Sequence, residues 1–586
     1  MTRNRSARAR LAAALVTAAV GAATLAAGAA ATASASPPPA AGRTQVLAER
    51  MHGEAAIRAL GDRLPDVAHA NRMTAAELTR RLRADQSLWL DEAGSLLFVD
   101  DDIADHAEPA AASTLDPAWL SHTTSAAFTL HSRPGAERVI HLDFDGHDPS
   151  TSAWSDKTYA QPYDTDRSPS TFSDTERRTV IEVWQRMAED FAPFAIDVTT
   201  EDPGIDAIRR TTESDARFGT RVVVTPTRTN CTDCGGVAYL GTYNVSGGGA
   251  TTGWTHDRYQ PAWVYPDGWS AKSIAEAASH EAGHNLGLSH DGGTGTPYYQ
   301  GHGDWAPIMG VGYYREISQW SKGENAGATN DEDDLALVVQ HGGPLAVDDH
   351  GSGPDGATSL ASSVVDVTGE IGTRADVDAF SFTTTGGALT LHAAPVSVGA
   401  NLDLSLRVVG QDGTTLATAD PAGLSASVDV TVPAGTHTVR LDGVGFGDPA
   451  TTGYSDYASV GRYHLTGLLP SGVTTTDNQA PIASLSASTT SGTAPLPVTF
   501  DSTRSTDADG DPLTSTWTFG DGGTATGATV SHTYAAAGTY EVTLTVSDGT
   551  SSSTASTVVT VAPAPTRPTK SKGGSGGGGG KPAKTR

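Results

Sequence analysis

Between residues 280 and 291 the chain reads His-Glu-Ala-Gly-His-Asn-Leu-Gly-Leu-Ser-His-Asp. Residues four apart on a helix lie on one face, one turn above the other. His280 and His284 can therefore aim two imidazoles at one metal ion. Glu281 is the next residue round the helix, within reach of a water on that ion but angled away from ligating it. Gly287 falls where such a helix must stop, because glycine accepts the left-handed backbone that turns the chain. The turn brings His290 back as a third nitrogen. Three protein ligands leave the fourth tetrahedral position to water, which is the open geometry of a catalytic zinc site. The competing reading is a polar helix with incidental histidines. Five fixed positions weigh against it, whereas H-E-x-x-H alone would carry much less information.

Such residues need rigid elements around them. Ser273-Ile-Ala-Glu276 predicts a capped start for the metal helix. Ser173-Asp-Thr-Glu176 predicts another helix start, followed by Val180, Val183, Trp184 and Met187 at helical spacing. Segments 138–144, 195–200 and 221–225 read as strands. Strand, helix, strand, strand and metal helix describe an α/β unit. Asp331-Glu-Asp-Asp-Leu335 predicts a closing helix with acidic residues at its N-terminus. Trp305-Ala-Pro-Ile-Met309-Gly310 lies about twenty residues beyond His290.

The residues from 280 to 314 resemble the metzincin zinc endopeptidases, and Asp291 after the third histidine resembles the reprolysin and gametolysin branches. The resemblance implies a metzincin-like catalytic domain over residues 126–342 that binds Zn2+. It implies His280, His284 and His290 as ligands, Glu281 as general base, and Met309 as the methionine turn beneath the histidines. In that family the strand just before the metal helix edges the cleft. Gly236, Val237, Ala238 and Tyr239 take that place here, as residues that pair with an extended substrate; an ordinary edge strand is the alternative. The tyrosine ligand that some metzincins carry two residues after the methionine is Val311 here, so none is transferred. Tyr313 and Tyr314 are candidates for lining a specificity pocket.

The chain has 586 residues and a net charge of −28. That length exceeds one core, and that charge argues against nucleic acid or an anionic membrane surface as partner. Residues 1–35 read as a secretory signal peptide, with Arg3, Arg5, Arg8 and Arg10 before an Ala/Leu/Val run and Ala33-Ser34-Ala35 as cleavage site. A secreted, extracellular protein follows, with no membrane partner after signal removal. Cys231 and Cys234, the two cysteines present, then read as a small disulfide-closed loop. Residues 36–125 read as a propeptide with a capping signal at Thr74-Ala-Ala-Glu77 and a strand at 95–99. It holds no cysteine, so a thiol cannot cap the metal. A carboxylate could, with Asp100, Asp101, Asp102 and Asp105 as candidates; a solvated acidic loop is the alternative.

Beyond residue 342 strands alternate. Phe380 and Phe382, Leu402 to Val408 at every second residue, Val428 to Val432, and Val439 with Leu441 predict an antiparallel sandwich over 343–470. It resembles the bacterial pre-peptidase C-terminal domain. Residues 480–562 predict a second all-β sandwich. Its Trp517-Thr-Phe-Gly-Asp-Gly522, His532-Thr-Tyr534 and alternating Tyr540, Val542, Leu544 and Val546 resemble the polycystic-kidney-disease (PKD) domain. Asp507, Asp509 and Asp511 make a candidate Ca2+ site, with a plain surface turn as the alternative. Gly- and Pro-containing junctions near 342–344 and 471–481 predict modules that move independently. Residues 563–586 read as a disordered tail.

The expectation is a secreted, monomeric multidomain zinc endopeptidase made as a zymogen. It would act on extracellular proteins or peptides and, through its C-terminal modules, on insoluble polymers. An adhesive or scaffolding protein with a vestigial protease domain is one alternative. A zinc exopeptidase is another.

Overall fold

The computed structural model describes residues 45–101, 123–154, 156–246, 256–354, 356–470, 480–507, 511–549 and 551–563. The signal-like residues 1–35, Asp102, Asp105 and the C-terminal tail from 564 lie outside them. No helix among the described residues is long and apolar enough to cross a membrane.

The first part of the chain is built on one eight-stranded mixed sheet. Its elements are β1 (Met51–His52), α1 (Gly53–Leu60), α2 (Leu64–Ala70), α3 (Ala75–Ala84), β2 (Leu88–Leu90), β3 (Leu96–Asp101), β4 (Arg138–Asp143), α4 (Asp174–Asp190), β5 (Ile196–Thr199), α5 (Ile205–Ile208), β6 (Phe218–Val224), β7 (Cys234–Tyr239), β8 (Ala262–Val264), α6 (Ala271–Asn285), β9 (Trp305–Pro307), β10 (Ile317–Gln319) and α7 (Asp334–Gln340). The strand order in the sheet is β1-β2-β3-β7-β8-β6-β4-β5. β4, β5, β6 and β8 run parallel, and β7 runs antiparallel to β8.

Sequence accounts for most of these elements. β4 is buried over its last five residues, as a strand covered on both faces must be, and it is apolar at Val139, Ile140 and Leu142. α4 begins with a full capping box: Glu176 N donates to Ser173 Oγ at 3.3 Å, and Ser173 N donates to the Glu176 carboxylate at 2.8 Å. Val180, Val183, Trp184 and Met187 then pack into one core with Ile274, Ala278 and Ala282 of α6. Every residue of α6 from Ile274 to Asn285 is buried, so α6 is the central helix of the unit.

Three local expectations need correction. α6 starts earlier than Ser273: Ser270 is the cap, accepting from Ser273 N at 3.1 Å. Glu276 is drawn away from any cap by Lys272 at 2.8 Å and Ser318 at 2.5 Å. β8 has no signal in the sequence, because three residues are too few to show a period. The closing helix α7 begins at Asp334 with Asp333 as its cap.

Residues 45–101 do not stand apart from the rest. α1, α2 and α3 pack on β1–β3 around Leu60, Leu78, Leu82, Leu90 and Phe98. β3 pairs antiparallel with β7 and continues the main sheet.

Residues 356–470 form a sandwich of a five-stranded and a four-stranded sheet. Phe380, Leu391, Leu404, Leu406 and Leu441 fill its core. The junction before it is not the loose linker that its glycines and proline suggest. Ala195 N donates to Pro344 O at 2.7 Å, and Ala346 N to Pro193 O at 2.9 Å. Arg133 reaches Glu370 at 2.8 Å. Tyr457 and Ala458 of the sandwich sit in the same apolar cluster as α4 and α6. Side chains from elsewhere in the sequence close this seam, and local composition cannot report them. The second sandwich has sheets of three and five strands around Trp517, Phe519, Tyr534, Val542 and Leu544. The chain is thus multidomain, with β-sandwich modules following the α/β unit.

Candidate metal centre

α6 carries His280 and His284 one turn apart. It ends at Asn285, and at Gly287, whose φ is +94°, the chain turns back so that His290 faces the other two rings. A side chain at Gly287 would also strike the ring of His341 at 2.6 Å. His284 Nε2 and His290 Nε2 are 3.1 Å apart. The ring of His280 is 4.7 Å from that of His284 and 5.1 Å from that of His290, centroid to centroid.

The other ring nitrogens are committed. His280 Nδ1 donates to Ile308 O at 2.9 Å and His284 Nδ1 to Leu288 O at 2.8 Å. A carbonyl only accepts, so both Nδ1 atoms carry a proton, and each ring turns its Nε2 towards the other histidines. His290 Nδ1 donates to Asp85 at 2.7 Å. Three Nε2 atoms therefore converge with their second nitrogens anchored, as metal-ligating histidines are anchored.

A carboxylate from the N-terminal segment faces the convergence point. Asp100 Oδ2 is 3.3 Å from His280 Nε2 and 3.2 Å from His284 Nε2, and Asp100 Oδ1 is 3.1 Å from His290 Nε2. Tyr298 OH donates to Asp100 Oδ1 at 3.1 Å. Burial opposes ionisation of Asp100, but the charge on His290 and the contacts of the three rings hold its carboxyl well below the usual range. Burial likewise opposes charge on His290, yet Asp100 and Asp85 outweigh it and push it up to about 10. Burial lowers His284 to about 4. His280 Nε2 is buried without a hydrogen-bond partner. A buried nitrogen lone pair facing a carboxylate is satisfied by a cation between them, so these residues fit a zinc ion held by three histidines.

Glu281 is buried and points at β7. A Cβ on Gly236 would lie 1.7 Å from Glu281 Oε1, so only glycine leaves room for this carboxyl. Burial, then the negative charge of Asp100, pushes Glu281 well above the ordinary carboxylate range. Glu281 Oε2 is buried without a partner. Met309 lies beneath α6: a Cβ on Gly283 would meet its Sδ at 2.5 Å. Asp291 N donates to Met309 O at 2.8 Å, tying the turn to the residue after the third histidine.

Gly236, Val237, Ala238 and Tyr239 form the strand next to the histidines, and its outer edge is occupied. β3 runs antiparallel along it, Leu97 opposite Tyr239, Phe98 opposite Ala238, Val99 opposite Val237 and Asp100 opposite Gly236. Alternation sends Phe98 and Asp100 to the histidine side. Phe98 stacks on His284 with centroids 4.1 Å apart. Of the four candidate capping aspartates, Asp100 meets the histidines and Asp101 is exposed; Asp102 and Asp105 lie outside the described residues. Cys231 and Cys234 are joined, which closes the loop at the start of β7. Tyr313 is half-buried beside Trp269, and Tyr314 is 47% exposed.

Sequence reasoning missed Asp85, Tyr298 and Asp334. Asp85 follows α3 and Tyr298 lies in a loop; neither belongs to a motif, so no local signal marks them. Asp334 and Asp291 are both fully buried. Ser321 N donates to Asp334 Oδ2 at 2.8 Å, and the Asp291 charge helps push Asp334 up, behind burial.

The modules that follow can be compared with known proteins. Residues 478–562 match the family model of the PKD domain. This second sandwich is a PKD domain. A solved PKD1 domain from the Vibrio cholerae metalloprotease PrtV is similar to it at 36% identity and TM-score 0.13, covering 14% of this chain and 98% of that one. A structure described for the promiscuous specificity of carbohydrate-binding modules from the beta-sandwich super family is 33% identical, with TM-score 0.15. It covers 15% of this chain, which spans 36% of that one. The pre-peptidase C-terminal domain of a Bacillus anthracis collagenase matches at 10% identity and TM-score 0.15, covering 20% of this chain and 99% of that one. No curated protein matches the chain. In the PKD domain, Asp507 and Asp511 are brought together with Asp548, their ligand atoms within 4.8 Å of one another; Asp509 lies outside the described residues. The fold supplies Asp548 from the far end of a strand pair, where residue spacing could not point.

Proposed function

We propose that the protein is a secreted zinc endopeptidase of metzincin type, made as a latent precursor. The observation that carries the reading is the convergence of three histidine Nε2 atoms, each with its Nδ1 anchored, beside a buried glutamate. Bound zinc supplies the electrophile that acidifies a water and polarises a peptide carbonyl. His280, His284 and His290 hold it. Glu281, beside the three histidines, takes the proton of the attacking water and returns it to the leaving amine. The edge of β7 orients an extended substrate by main-chain pairing. Gly236 keeps that strand close enough for Glu281 to reach the scissile bond.

Latency follows from the same geometry. β3 lies where a substrate strand would pair, and Asp100 lies where a substrate carbonyl would need to come. Removal of the N-terminal segment frees both. The first sandwich resembles the pre-peptidase C-terminal domain, and with the PKD domain it suits an enzyme that works on extracellular or insoluble protein. Calcium at Asp507, Asp511 and Asp548 is a part of this reading that the acidic grouping supports.

The test compares Glu281→Ala and His284→Ala with the activated wild type. Glu281→Ala is expected to keep one zinc and lose nearly all hydrolysis of a casein-like substrate, and His284→Ala to lose zinc as well. Near wild-type turnover by Glu281→Ala, or no zinc in the wild type, sinks the proposal.

A further inference from the structure

Among the residues that the first sandwich brings to the back of the metal helix is Asn401. Its side chain is buried, 5% exposed, in the connection between strands Gly387–Pro395 and Leu404–Gly410. Two hydrogen-bonded arms leave it. In the first, Asn401 Nδ2 donates to Asp190 Oδ1 at 2.8 Å, and Asp190 Oδ2 accepts from Ser279 Oγ at 2.6 Å. Asp190 is the last residue of α4, and Ser279 immediately precedes His280. In the second, Gln319 Nε2 donates to Asn401 O at 2.5 Å. Gln319 O in turn accepts from Ile308 N at 2.9 Å, and Ile308 O is the acceptor for His280 Nδ1 at 2.9 Å.

Both arms end at His280, one on the residue before it and one on its anchored ring nitrogen. We infer that Asn401, supplied by the first sandwich, is a positioning residue for His280, and that the sandwich is part of the metal-binding unit rather than an appendage. The physical reason is that outer partners set the orientation of a ligating imidazole, and their loss typically weakens metal binding by about 10- to 100-fold. Asp190 has no freedom to compensate. It is buried, and loss of the Asn401 amide leaves one of its oxygens without a donor. The inference rests on the zinc reading above.

The experiment measures zinc affinity of the full chain by competition with a chromophoric chelator, together with thermal unfolding of the metal-free protein. Asn401→Leu, close in volume but unable to donate to Asp190, is expected to weaken zinc binding at least about 10-fold. Ser279→Ala, which cuts the first arm at its other end, should weaken it in the same direction. Tyr457→Phe is the control at the same seam. It removes the hydroxyl that meets Asp333 at 2.6 Å and Leu335 N at 3.0 Å, and should lower the melting temperature without changing zinc affinity. If Asn401→Leu does not fold, Asn401→Ser, too short to reach Asp190, replaces it. Unchanged zinc affinity in both the Asn401 and Ser279 variants overturns the inference while leaving the zinc reading intact. A wild type that binds no zinc overturns the zinc reading, and the inference with it.

Discussion

The sharpest consequence of the proposed function is the expectation that one carboxylate silences the precursor, and Asp100→Ala tests it. The carboxylate touches three imidazoles at 3.1–3.3 Å and accepts from Tyr298 at 3.1 Å. Two of these contacts, from the charged His290 ring and the Tyr298 hydroxyl, are charge-assisted hydrogen bonds that contribute roughly 1.5–3 kcal/mol each. They are not additive, so the loss on removing both is taken as about 3–4 kcal/mol. That amounts to a factor on the order of 10²–10³ in the population with an open site, since 1.4 kcal/mol is tenfold. The remainder of the seat survives, because Leu97 to Asp101 still pair with β7 and Phe98 still stacks on His284. The uncleaved Asp100→Ala chain should therefore hydrolyse a quenched fluorescent peptide about 10²–10³ times faster than the uncleaved wild type, yet more slowly than the mature enzyme. Initial rates are read on samples whose intact mass is checked before and after. Asp100→Asn, which keeps an oxygen for Tyr298 but loses the charge, should fall between. If Asp100→Ala stays as silent as the wild-type precursor while the mature enzyme is active, the strand and not the carboxylate imposes latency.

Three further outcomes follow. In Gly236→Ala the new Cβ would stand 1.7 Å from Glu281 Oε1, so the activated variant should bind zinc but lose on the order of 10²-fold in kcat, the usual scale for a displaced general base; wild-type kcat would refute this. A chain ending at residue 470 should cleave soluble peptides like the full-length enzyme but digest insoluble fibres more slowly, since it loses only the PKD domain, whereas a chain ending at Gly342 uncovers Glu189, Asp190 and the apolar seat of Tyr457 and should fail to give soluble, zinc-loaded protein. Burial pushes Glu189, at the seam with Arg462, up to about 8 from an ordinary 4.5; between those values the folded chain holds a proton that the unfolded chain has lost, so the contribution of this group is full below about pH 4.5 and is lost as pH rises through 8, by at most ~5 kcal/mol, and Glu189→Gln should flatten that slope in melting curves while a slope unchanged by the substitution refutes it.

Much of the candidate site was legible in the chain because it is local. Helical periodicity places His280, Glu281 and His284, and a glycine that alone tolerates φ of +94° places the turn to His290. The alternating residues of the two sandwiches, and the PKD signature around Trp517, are local for the same reason: a strand buries every second residue whatever it pairs with.

What the tertiary structure decided are the contacts between distant segments. Four acidic residues following a strand were equivalent as candidates. The register of β3 on β7 selects Asp100, because a strand's side chains alternate and a shift of one residue would turn that carboxyl to the opposite face. Asp85 and Tyr298 join the site from loops that carry no motif. The junction near Gly342 has the composition of a flexible linker, yet it lies in a closed seam, because Asn401, Arg462 and Tyr457 arrive from far along the chain to cover α4 and α6. Spacing along a chain specifies what one helix or one strand presents; which segment comes to face it depends on burial and pairing between elements, and those are properties of the folded whole.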